Sequence, residues 1–153
     1  METAKQVSVF LENKPGRLAQ VLSALAKEKV NVTALTVMDS HEHSVLRLVT
    51  GDSAKTLDVL KGLNMRHAEA EVILVELRNQ PGALAHVCEE LAGEHINIDY
   101  CYVSSGGRNG RVLGIFKVAN MDKAMKLLGA STNGSKKRVE GRPARDRRSY
   151  QAR

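Results

Sequence analysis

An internal repeat constrains the fold of this chain more than any other feature of its sequence. The segment from Glu12 to Leu35 recurs without a gap from Arg78 to Cys101, so every residue of the segment has its counterpart 66 positions later. Ten of the 24 aligned positions are identical, and Val30 is replaced by the similar Ile96. A duplication of this length indicates that one small structural unit is used twice in the chain.

Each copy of the repeat has the hydrophobic periodicity of a strand followed by a helix. Apolar residues recur at every second position in Val7, Val9 and Leu11 and again in Ile73, Val75 and Leu77, as they do in a half-buried strand. Apolar residues then recur at i, i+3, i+4, i+7 and i+8, which places one apolar stripe along a helix. The stripe consists of Leu18, Val21, Leu22, Leu25 and Ala26 in the first copy, and of Leu84, Val87, Cys88, Leu91 and Ala92 in the second.

Two more strands and a second helix are expected in each copy. The strands span about residues 30–38 and 45–50 in the first copy, and 96–104 and 112–118 in the second. The helices run from about 53 to 63 and from 121 to 128, with Asp52 or Ser53 and Asn120 as their N-caps. The stretch 65–76 is long enough to close the first copy with a fourth strand and to open the second, whereas no such strand is evident after Leu128.

The element order βαββαβ in about 65 residues predicts the fold class α+β, with two ferredoxin-like units whose helices cover one face of an antiparallel sheet. We assign residues 1–69 to the first unit, 70–132 to the second and 133–153 to a tail. A unit of this size buries only about 60% of the surface of its unfolded chain. We therefore expect the two units to pack together as a pair.

The formal net charge of +6 comes from the C-terminal tail. Residues 1–129 contain 15 Lys and Arg against 15 Asp and Glu, whereas residues 130–153 contain eight against two. The tail has almost no large apolar residues, so we predict that it is disordered. An alternative function is a salt-sensitive association of this tail with RNA or an acidic partner. Nucleic acid is the less favoured partner, because the folded part lacks the aromatic and basic signature of RNA-recognition sheets.

The repeat also duplicates a strand-to-helix loop with the pattern Asn-x-Pro-Gly, at Asn13–Gly16 and Asn79–Gly82. A proline at the start of a helix has a preset φ and lacks an N–H that the helix does not use. The backbone N–H groups after it point out of the helix N-terminus, where the helix dipole favours an anion such as an α-carboxylate. Glycine lets a ligand approach the backbone, and asparagine can cap the helix or bind a polar ligand group.

The two loops differ in charge. Lys14 and Arg17 flank the first proline and glycine, whereas the second loop has the neutral Gln80 and Ala83. A carboxylate is therefore expected to prefer the first loop. The alternative is that each loop is only a well-formed turn and that Arg17 is a solvated surface charge.

The two loops, each after a strand and each followed by an apolar helix and a Val/Ile-Asn-Val/Ile strand start, resemble the ACT domain. The resemblance covers about residues 5–129, and the chain is similar to tandem ACT proteins without a catalytic domain. It implies a regulatory module that binds a small molecule, most often an amino acid, at an interface between paired ACT units. The ligand-binding residues that it implies are Asn13, Pro15, Gly16, Arg17, Leu18, Asn31 and Val32 in the first unit, and Asn79, Pro81, Gly82, Ala83, Leu84, Asn97 and Ile98 in the second.

The resemblance also bears on partners. It implies a homodimer that binds an amino acid, and we expect no cofactor and no metal. The alternative within the family is a subunit that binds no ligand and assembles with a biosynthetic enzyme or regulates it, as the small subunit of acetolactate synthase does with its ACT domain.

Other classes of function find little support in the sequence. No nucleophile, base and acid cluster or repeat, so we expect no enzyme. His41 and His43 lie at i and i+2 in a predicted hairpin, but a closed metal site usually needs three or four ligands. No apolar run is long enough to cross a bilayer, and no signal-peptide pattern is visible. Because two cysteines, Cys88 and Cys101, are also the sparse number typical of a reducing compartment, we expect a cytoplasmic protein.

Overall fold

The structure, a computed structural model, describes residues 1–38, 43–105 and 108–137, with the side chains of Arg108 and of residues 131–137 left out. The described residues form one six-stranded sheet and four α-helices, with a short 3-10 turn at Arg108–Gly110. The strands are β1 Glu2–Glu12, β2 Val32–Met38, β3 His43–Thr50, β4 His67–Arg78, β5 Ile98–Ser104 and β6 Arg111–Val118. The helices are α1 Arg17–Lys27, α2 Ser53–Gly62, α3 Ala83–Gly93 and α4 Met121–Lys137.

The sheet is antiparallel throughout, with the strand order β2-β3-β1-β4-β6-β5. Strands β1 to β3 and strands β4 to β6 repeat the same order outward from the centre. The predicted α+β class with two ferredoxin-like units is confirmed. The units share one continuous sheet, because β1 and β4 pair along eight residues from Glu2 opposite Leu74 to Val9 opposite His67.

Strand β4 serves both units. Its first residues pair with β1 of the first unit, and its last six residues, 73–78, pair with β6 of the second. Strand β1 likewise contributes to both units, because its first residues, Glu2 to Gln6, pair with the part of β4 that begins the second unit. The second unit therefore needs no fourth strand after Leu128, since the start of β1 occupies that position.

All four helices cover the same face of the sheet. Odd-numbered residues of β1 lie opposite odd-numbered residues of β4, so Val7 and Ile73 project to one face. Each half of that face has its own core. The first consists of Val7, Val9, Leu11, Val21, Leu25, Val30, Leu46, Leu48 and Leu60. The second consists of Ile73, Val75, Leu77, Val87, Leu91, Ile96, Phe116, Val118, Ala124 and Leu128.

The sheet curls over its helix-free face. A third cluster packs there, and it takes residues from both units: Ala34, Val49, Val72, Leu74 and Ile115. The two edge strands also meet, because the Ser104 hydroxyl of β5 donates a hydrogen bond to the Thr33 carbonyl of β2 at 3.1 Å. The expected packing of the two units as a pair is thus achieved through one sheet and a shared core.

The N-caps of α2 and α4 agree with the sequence prediction, whereas the end of α4 does not. The side chains of Asp52 and Asn120 accept hydrogen bonds from the backbone N–H groups of Lys55 and Lys123, each at 3.0 Å, as predicted for N-caps. Helix α4, however, continues to Lys137, five residues into the segment that we assigned to the tail. No proline interrupts the chain there before Pro143. The rest of the predicted tail, residues 138–153, lies outside the described residues.

Among the described residues, no helix combines the length and the apolar composition that crossing a bilayer requires.

Candidate functional site

The two Asn-x-Pro-Gly loops have nearly identical backbones. Gly16 has φ +86° and ψ −12°, and Gly82 has φ +85° and ψ −14°. This left-handed conformation favours glycine, because a Cβ there approaches the backbone carbonyl oxygen. A Cβ built on either glycine has no atom within 4 Å, so the space above each loop is open. We call residues 12–18 the first loop and residues 78–84 the second loop.

The helices begin later than the sequence suggests. Pro15 precedes the helix instead of starting it, Gly16 is the N-cap, and Arg17 is the first helical residue. The predicted capping role of Asn13 is wrong, since the cap forms no side-chain hydrogen bond, and the glycine conformation makes the turn instead. The Arg17 N–H contacts the Lys14 carbonyl at 3.4 Å. The outward-pointing donors of the first turn are therefore those of Leu18 and the residue after it.

A carboxylate that the sequence analysis overlooked changes the charge of the first loop. Glu12 Oε2 lies 3.0 Å from Lys14 Nζ and 3.1 Å from Arg17 Nη2. Hydrogen bonds from Lys14 and then Arg17, with their positive charges, lower the pKa of Glu12. The two cations that favour a carboxylate ligand at this loop are therefore shared with an internal carboxylate.

The second loop has the opposite charge at the equivalent position. Arg78 aligns with Glu12 in the repeat, and it is exposed. Within the described part of the chain no ion pair includes Arg78, whereas Glu76 on the same strand pairs with Arg111 at 3.6 Å. The second loop thus adds a cation that is not neutralised, and the expected preference for the first loop loses its basis.

The two loops lie at opposite ends of the sheet. β1 and β4 are antiparallel, and the first loop follows the end of β1 while the second follows the end of β4. When the β1–β4 register is extended to both loops, Glu12 and Arg78 are fourteen residue positions apart along the strand direction. At about 3.3 Å per residue this amounts to roughly 45 Å along the strands, so the loops cannot hold one small ligand together within a chain.

The strand-start residues lie apart from both loops. Val32 is opposite Thr50, and Ile98 is opposite Val118, which places both at the level of Lys5 in the middle of β1. Each is seven residues, or roughly 23 Å, from the first residue of the loop of its own unit along the strands. The registers shift just after these two residues, at matching bulges in β2 and β5. The Asn31 and Asn97 carbonyls accept hydrogen bonds from Gly51 and Ala119, each at 3.0 Å.

The comparisons with other proteins agree with this architecture. Residues 2–132 match the family model described as the ACT domain pair.

The chain belongs to the ACT domain pair family.

Solved structures support the same assignment of this ACT pair. Protein BT0572 from Bacteroides thetaiotaomicron is 35% identical, with a TM-score of 0.78, over 85% of this chain and 89% of that chain. The regulatory subunit of aspartate kinase from Thermus thermophilus is 14% identical, with a TM-score of 0.63, over 86% of this chain and 97% of that one. The regulatory subunit from Thermus flavus is 16% identical, with a TM-score of 0.60, over 88% and 94%. At these two identities the likeness shows the fold alone. Comparison with curated proteins found no match.

Two further polar residues of this ACT pair escaped the sequence analysis. Gln6 is fully buried on the helix-free face, and Arg47 lies on the same face with its Nε buried. A signal for Arg47 exists in the sequence, because it is a lone charge in the otherwise apolar run Val45–Val49. A similar signal exists for Glu12 and Arg78, whose charges are opposite at aligned positions of the repeat.

The remaining candidate features of the ACT pair lie away from both loops. Most of the predicted His-rich hairpin, residues 39–42, is outside the described residues; among those described, no group of three or more His, Cys, Asp or Glu is placed to hold a metal ion. Cys88 and Cys101 are free thiols, and burial is the main cause that raises the pKa of Cys88. A shallow cleft of about 250 Å³ is lined by Glu28, Lys55, Asp58 and Val59, at the far end of α1 from the first loop.

Proposed function

We propose that this ACT pair is a non-catalytic regulatory protein of the cytoplasm that binds an amino acid at its strand-to-helix loops. The ligand α-carboxylate accepts hydrogen bonds from the backbone N–H groups after Gly16 or Gly82, where the helix dipole favours negative charge. The proposal extends to the neighbouring residues that the family resemblance implies. These are Asn13, Pro15, Arg17 and Leu18 in the first loop, and Asn79, Pro81, Ala83 and Leu84 in the second.

One observation carries the proposal. Both glycines hold a left-handed φ near +85° under open space, so the helix N-terminus is accessible to a ligand without a Cβ in its path. The same φ and the same open space recur at both loops. The family and the fold shared with the regulatory subunits of aspartate kinase are consistent with this role.

The separation of the site residues favours a homodimer. Asn31, Val32, Asn97 and Ile98 lie at the starts of the two edge strands, and within one chain they are far from both loops. A second chain can place its edge strand against a loop of the first, which completes a pocket between two ACT units. Ligand binding then stabilises one arrangement of the chains by a population shift.

The size of the ligand limits its affinity. An amino acid of about nine non-hydrogen atoms contributes roughly −5 to −8 kcal/mol, so we expect dissociation constants of about 1 to 200 μM. At 1 mM ligand, a dissociation constant of about 10 μM gives about 2.7 kcal/mol of stabilisation.

A thermal-shift screen of the full chain tests the proposal. The screen covers the twenty amino acids, their biosynthetic precursors and several purines at about 1 mM, a concentration at which such binding is detectable. One amino acid or a small related group is expected to raise the midpoint. Gly16→Val and Gly82→Val, alone and together, are expected to remove the response by blocking the approach to the loops.

Gly51→Val is the matched control, because Gly51 is exposed, has open space around it and lies outside both loops. It is expected to keep the full response. If the double loop variant is folded and still binds the ligand, the loops are not the site. If the folded native chain responds to no compound, amino-acid sensing is wrong.

A second candidate function is that of an assembly subunit for a biosynthetic enzyme. Leu35 and Val37 on β2 and Val103 on β5 are 41%, 44% and 44% exposed, on the two edge strands of the sheet. Such apolar edges favour contact with another protein. Copurification of an enzyme with the native chain, together with a failed ligand screen, is the result that favours this alternative.

A further inference from the structure

The helix-free face carries an exposed apolar and cationic surface at the end of the first unit. Phe10 and Met38 are 41% and 47% exposed there, and both lie opposite Val45 in the strand registers. Two residues further along β3, Arg47 lies between Ser8 of β1 and Thr36 of β2. Directly opposite residues of antiparallel strands project to the same face. We call this surface the Arg47 face; it consists of Ser8, Phe10, Thr36, Met38, Val45 and Arg47.

The Arg47 guanidinium has no good acceptor for its donors. Its Nη1 donates to the Met38 sulfur, and a thioether is only a weak acceptor. Its Nε is buried and has no hydrogen-bond partner. One side of the guanidinium plane is covered, because its Cζ lies 3.7 Å from the centroid of the Tyr100 ring. A buried N–H without an acceptor is costly, and such a group in a native structure calls for an explanation.

A second arginine flanks this surface. The guanidinium of Arg66 lies 5.6 Å from the centroid of the Phe10 ring. Among the described residues, none of the ion pairs includes Arg47 or Arg66. The surface therefore presents two positive charges beside exposed apolar side chains, and no carboxylate of the described chain neutralises them.

The second unit does not repeat this surface. Leu48 lies opposite Val7, and Phe116 lies opposite Ile73, the residue equivalent to Val7 in the repeat. Leu48 and Phe116 are therefore counterparts, and so are the residues before them, Arg47 and Ile115. Ile115 is fully buried. The counterpart of Phe10 is Glu76, which pairs with Arg111. The repeat conserves what the fold needs in both units, whereas the Arg47 face departs from it. The second unit thus has the same fold without a charge at this position.

We propose that the Arg47 face is a second ligand site, separate from both loops, for a small organic carboxylate with an apolar or aromatic body. The carboxylate accepts from the planar edge of Arg47 and takes the place of the Met38 sulfur. A charge-assisted bond between guanidinium and carboxylate is much stronger than one to a thioether. The flexible, exposed Met38 side chain can move aside for it. The apolar body rests on Phe10 and Val45.

Such a ligand would contact the junction of the two units. Arg47 belongs to the first unit, and the Tyr100 ring beneath its guanidinium belongs to the second. The Tyr100 hydroxyl in turn accepts a hydrogen bond from the buried Gln6 amide at 2.8 Å. A carboxylate on Arg47 therefore acts on the contact through which the two units hold each other.

Titration of the ¹⁵N-labelled full chain with phenylacetate tests the proposal by NMR. Saturable shifts are expected at the Arg47 Nη–H groups and at the amides of β1, β2 and β3 around the Arg47 face. The Nη–H signals are expected to move downfield, because they gain a charged acceptor. Phenylacetamide keeps the aromatic body without the charge, and acetate keeps the charge without the body. Both are expected to bind at least about tenfold more weakly, as is phenylacetate to Arg47→Gln.

Arg111→Gln is the matched control, since Arg111 is an exposed arginine of β6 that pairs with Glu76 and lies outside both loops and the Arg47 face. It is expected to bind phenylacetate as the native chain does. Equal affinity for phenylacetamide, or shifts confined to the loops, overturns the proposal. Equal affinity for acetate or inorganic phosphate overturns the requirement for an apolar body. Should Arg47→Gln fail to fold, the Arg47 Nη–H signals of the native chain still decide, because no shift of these signals at saturation means no bond to Arg47.

Discussion

The Gln6 side chain holds the Tyr100 hydroxyl at 2.8 Å across the junction of the two ACT units. Gln6 Nε2 donates this hydrogen bond, and Gln6 Oε1 accepts a second one from the Tyr102 hydroxyl at 3.0 Å. Gln6 has no exposed surface, and it lies in β1, which contributes to both units. A buried amide with both of its ends bonded fixes how the edge strand β5 lies against β1.

Replacement of Gln6 by methionine is expected to destabilise the fold. The methionine fills a similar volume, but it leaves two buried or half-buried hydroxyls without their partner. We expect the free energy of unfolding to fall by about 1–3 kcal/mol, measured by urea denaturation. Gln80→Met, at an exposed glutamine of the second loop, is expected to change it by less than about 0.5 kcal/mol. An equal effect of the two substitutions would show that the amide network contributes nothing specific.

The same network makes the stability of the fold depend on pH in the alkaline range. Burial is the main cause that raises the pKa of Tyr102 well above its usual range; Tyr100 raises it further, and Arg47 opposes the rise. An unfolded tyrosine titrates near pH 10. Above that pH the unfolded chain has lost a proton that the native state still holds. The stabilisation is therefore complete below about pH 10 and declines as the pH rises toward the pKa of the folded state.

Urea denaturation between about pH 9 and pH 11 measures this decline. One retained proton corresponds to at most about 1.4 kcal/mol per pH unit, and the partial exposure of Tyr102 reduces that value. Tyr102→Phe removes the ionisable group but keeps the ring. The native protein is expected to lose stability more steeply than this variant above pH 10. Parallel curves for the two proteins would mean that Tyr102 is not the group responsible.

Local periodicity predicts most of the secondary structure but not how the two units are joined. The helices and the strand starting at Val7 have strong apolar patterns, so the sequence predicts them within a few residues, apart from the end of α4. Residues 2–6, in contrast, are mostly polar and show no apolar alternation. They nevertheless form about half of β1 and complete the second unit. Their partner strand is nearly 70 residues away, and a pairing at that separation leaves no local pattern.

The sequence likewise predicts part of the candidate site and misses the part that depends on tertiary structure. The repeat identifies the two loops and their glycines, because a left-handed φ demands glycine at the same aligned position. It does not reveal that Glu12 neutralises Lys14 and Arg17, since that depends on where three flexible side chains meet. Nor does it show that the loops lie at opposite ends of the sheet, because this follows from the antiparallel pairing of β1 with β4.

The start of β1 is expected to be essential for the second unit. Ala4 lies opposite Val72 in the centre of the sheet and packs against the third core cluster. Ala4→Pro removes a ladder donor and introduces a ring into a central strand, so we expect a loss of about 3 kcal/mol or more, or no stable fold. Hydrogen exchange is expected to increase in residues 70–76 of β4.

Lys5→Ala is the neighbouring control for that substitution. Lys5 is exposed and forms only an ion pair with Glu69, at 3.5 Å, so its loss is expected to cost about 0–1 kcal/mol. If Ala4→Pro leaves the exchange of β4 unchanged, the start of β1 is not the strand that completes the second unit.

The charges beside the loops are expected to set their affinities in opposite directions. Glu12→Gln leaves Lys14 and Arg17 without their carboxylate partner, so an amino acid found by the ligand screen should bind the first loop more tightly. Arg78→Gln removes the unpaired cation and should weaken binding at the second loop. We expect changes of about two- to fivefold in each case, because the charges are exposed and lie near a helix N-terminus.

Calorimetric titration at low salt and at about 0.5 M salt separates this charge effect from a change in loop shape, since salt screens exposed charges. The change in affinity caused by Glu12→Gln and the change caused by Arg78→Gln are both expected to shrink at high salt. Glu71→Gln, at an exposed carboxylate of β4 far from both loops, should alter neither affinity. If Glu12→Gln leaves the affinity unchanged at low salt, the ligand carboxylate does not lie beside Lys14 and Arg17. The first loop would then be a structural turn, and the amino acid found by the ligand screen would have to bind at the second loop.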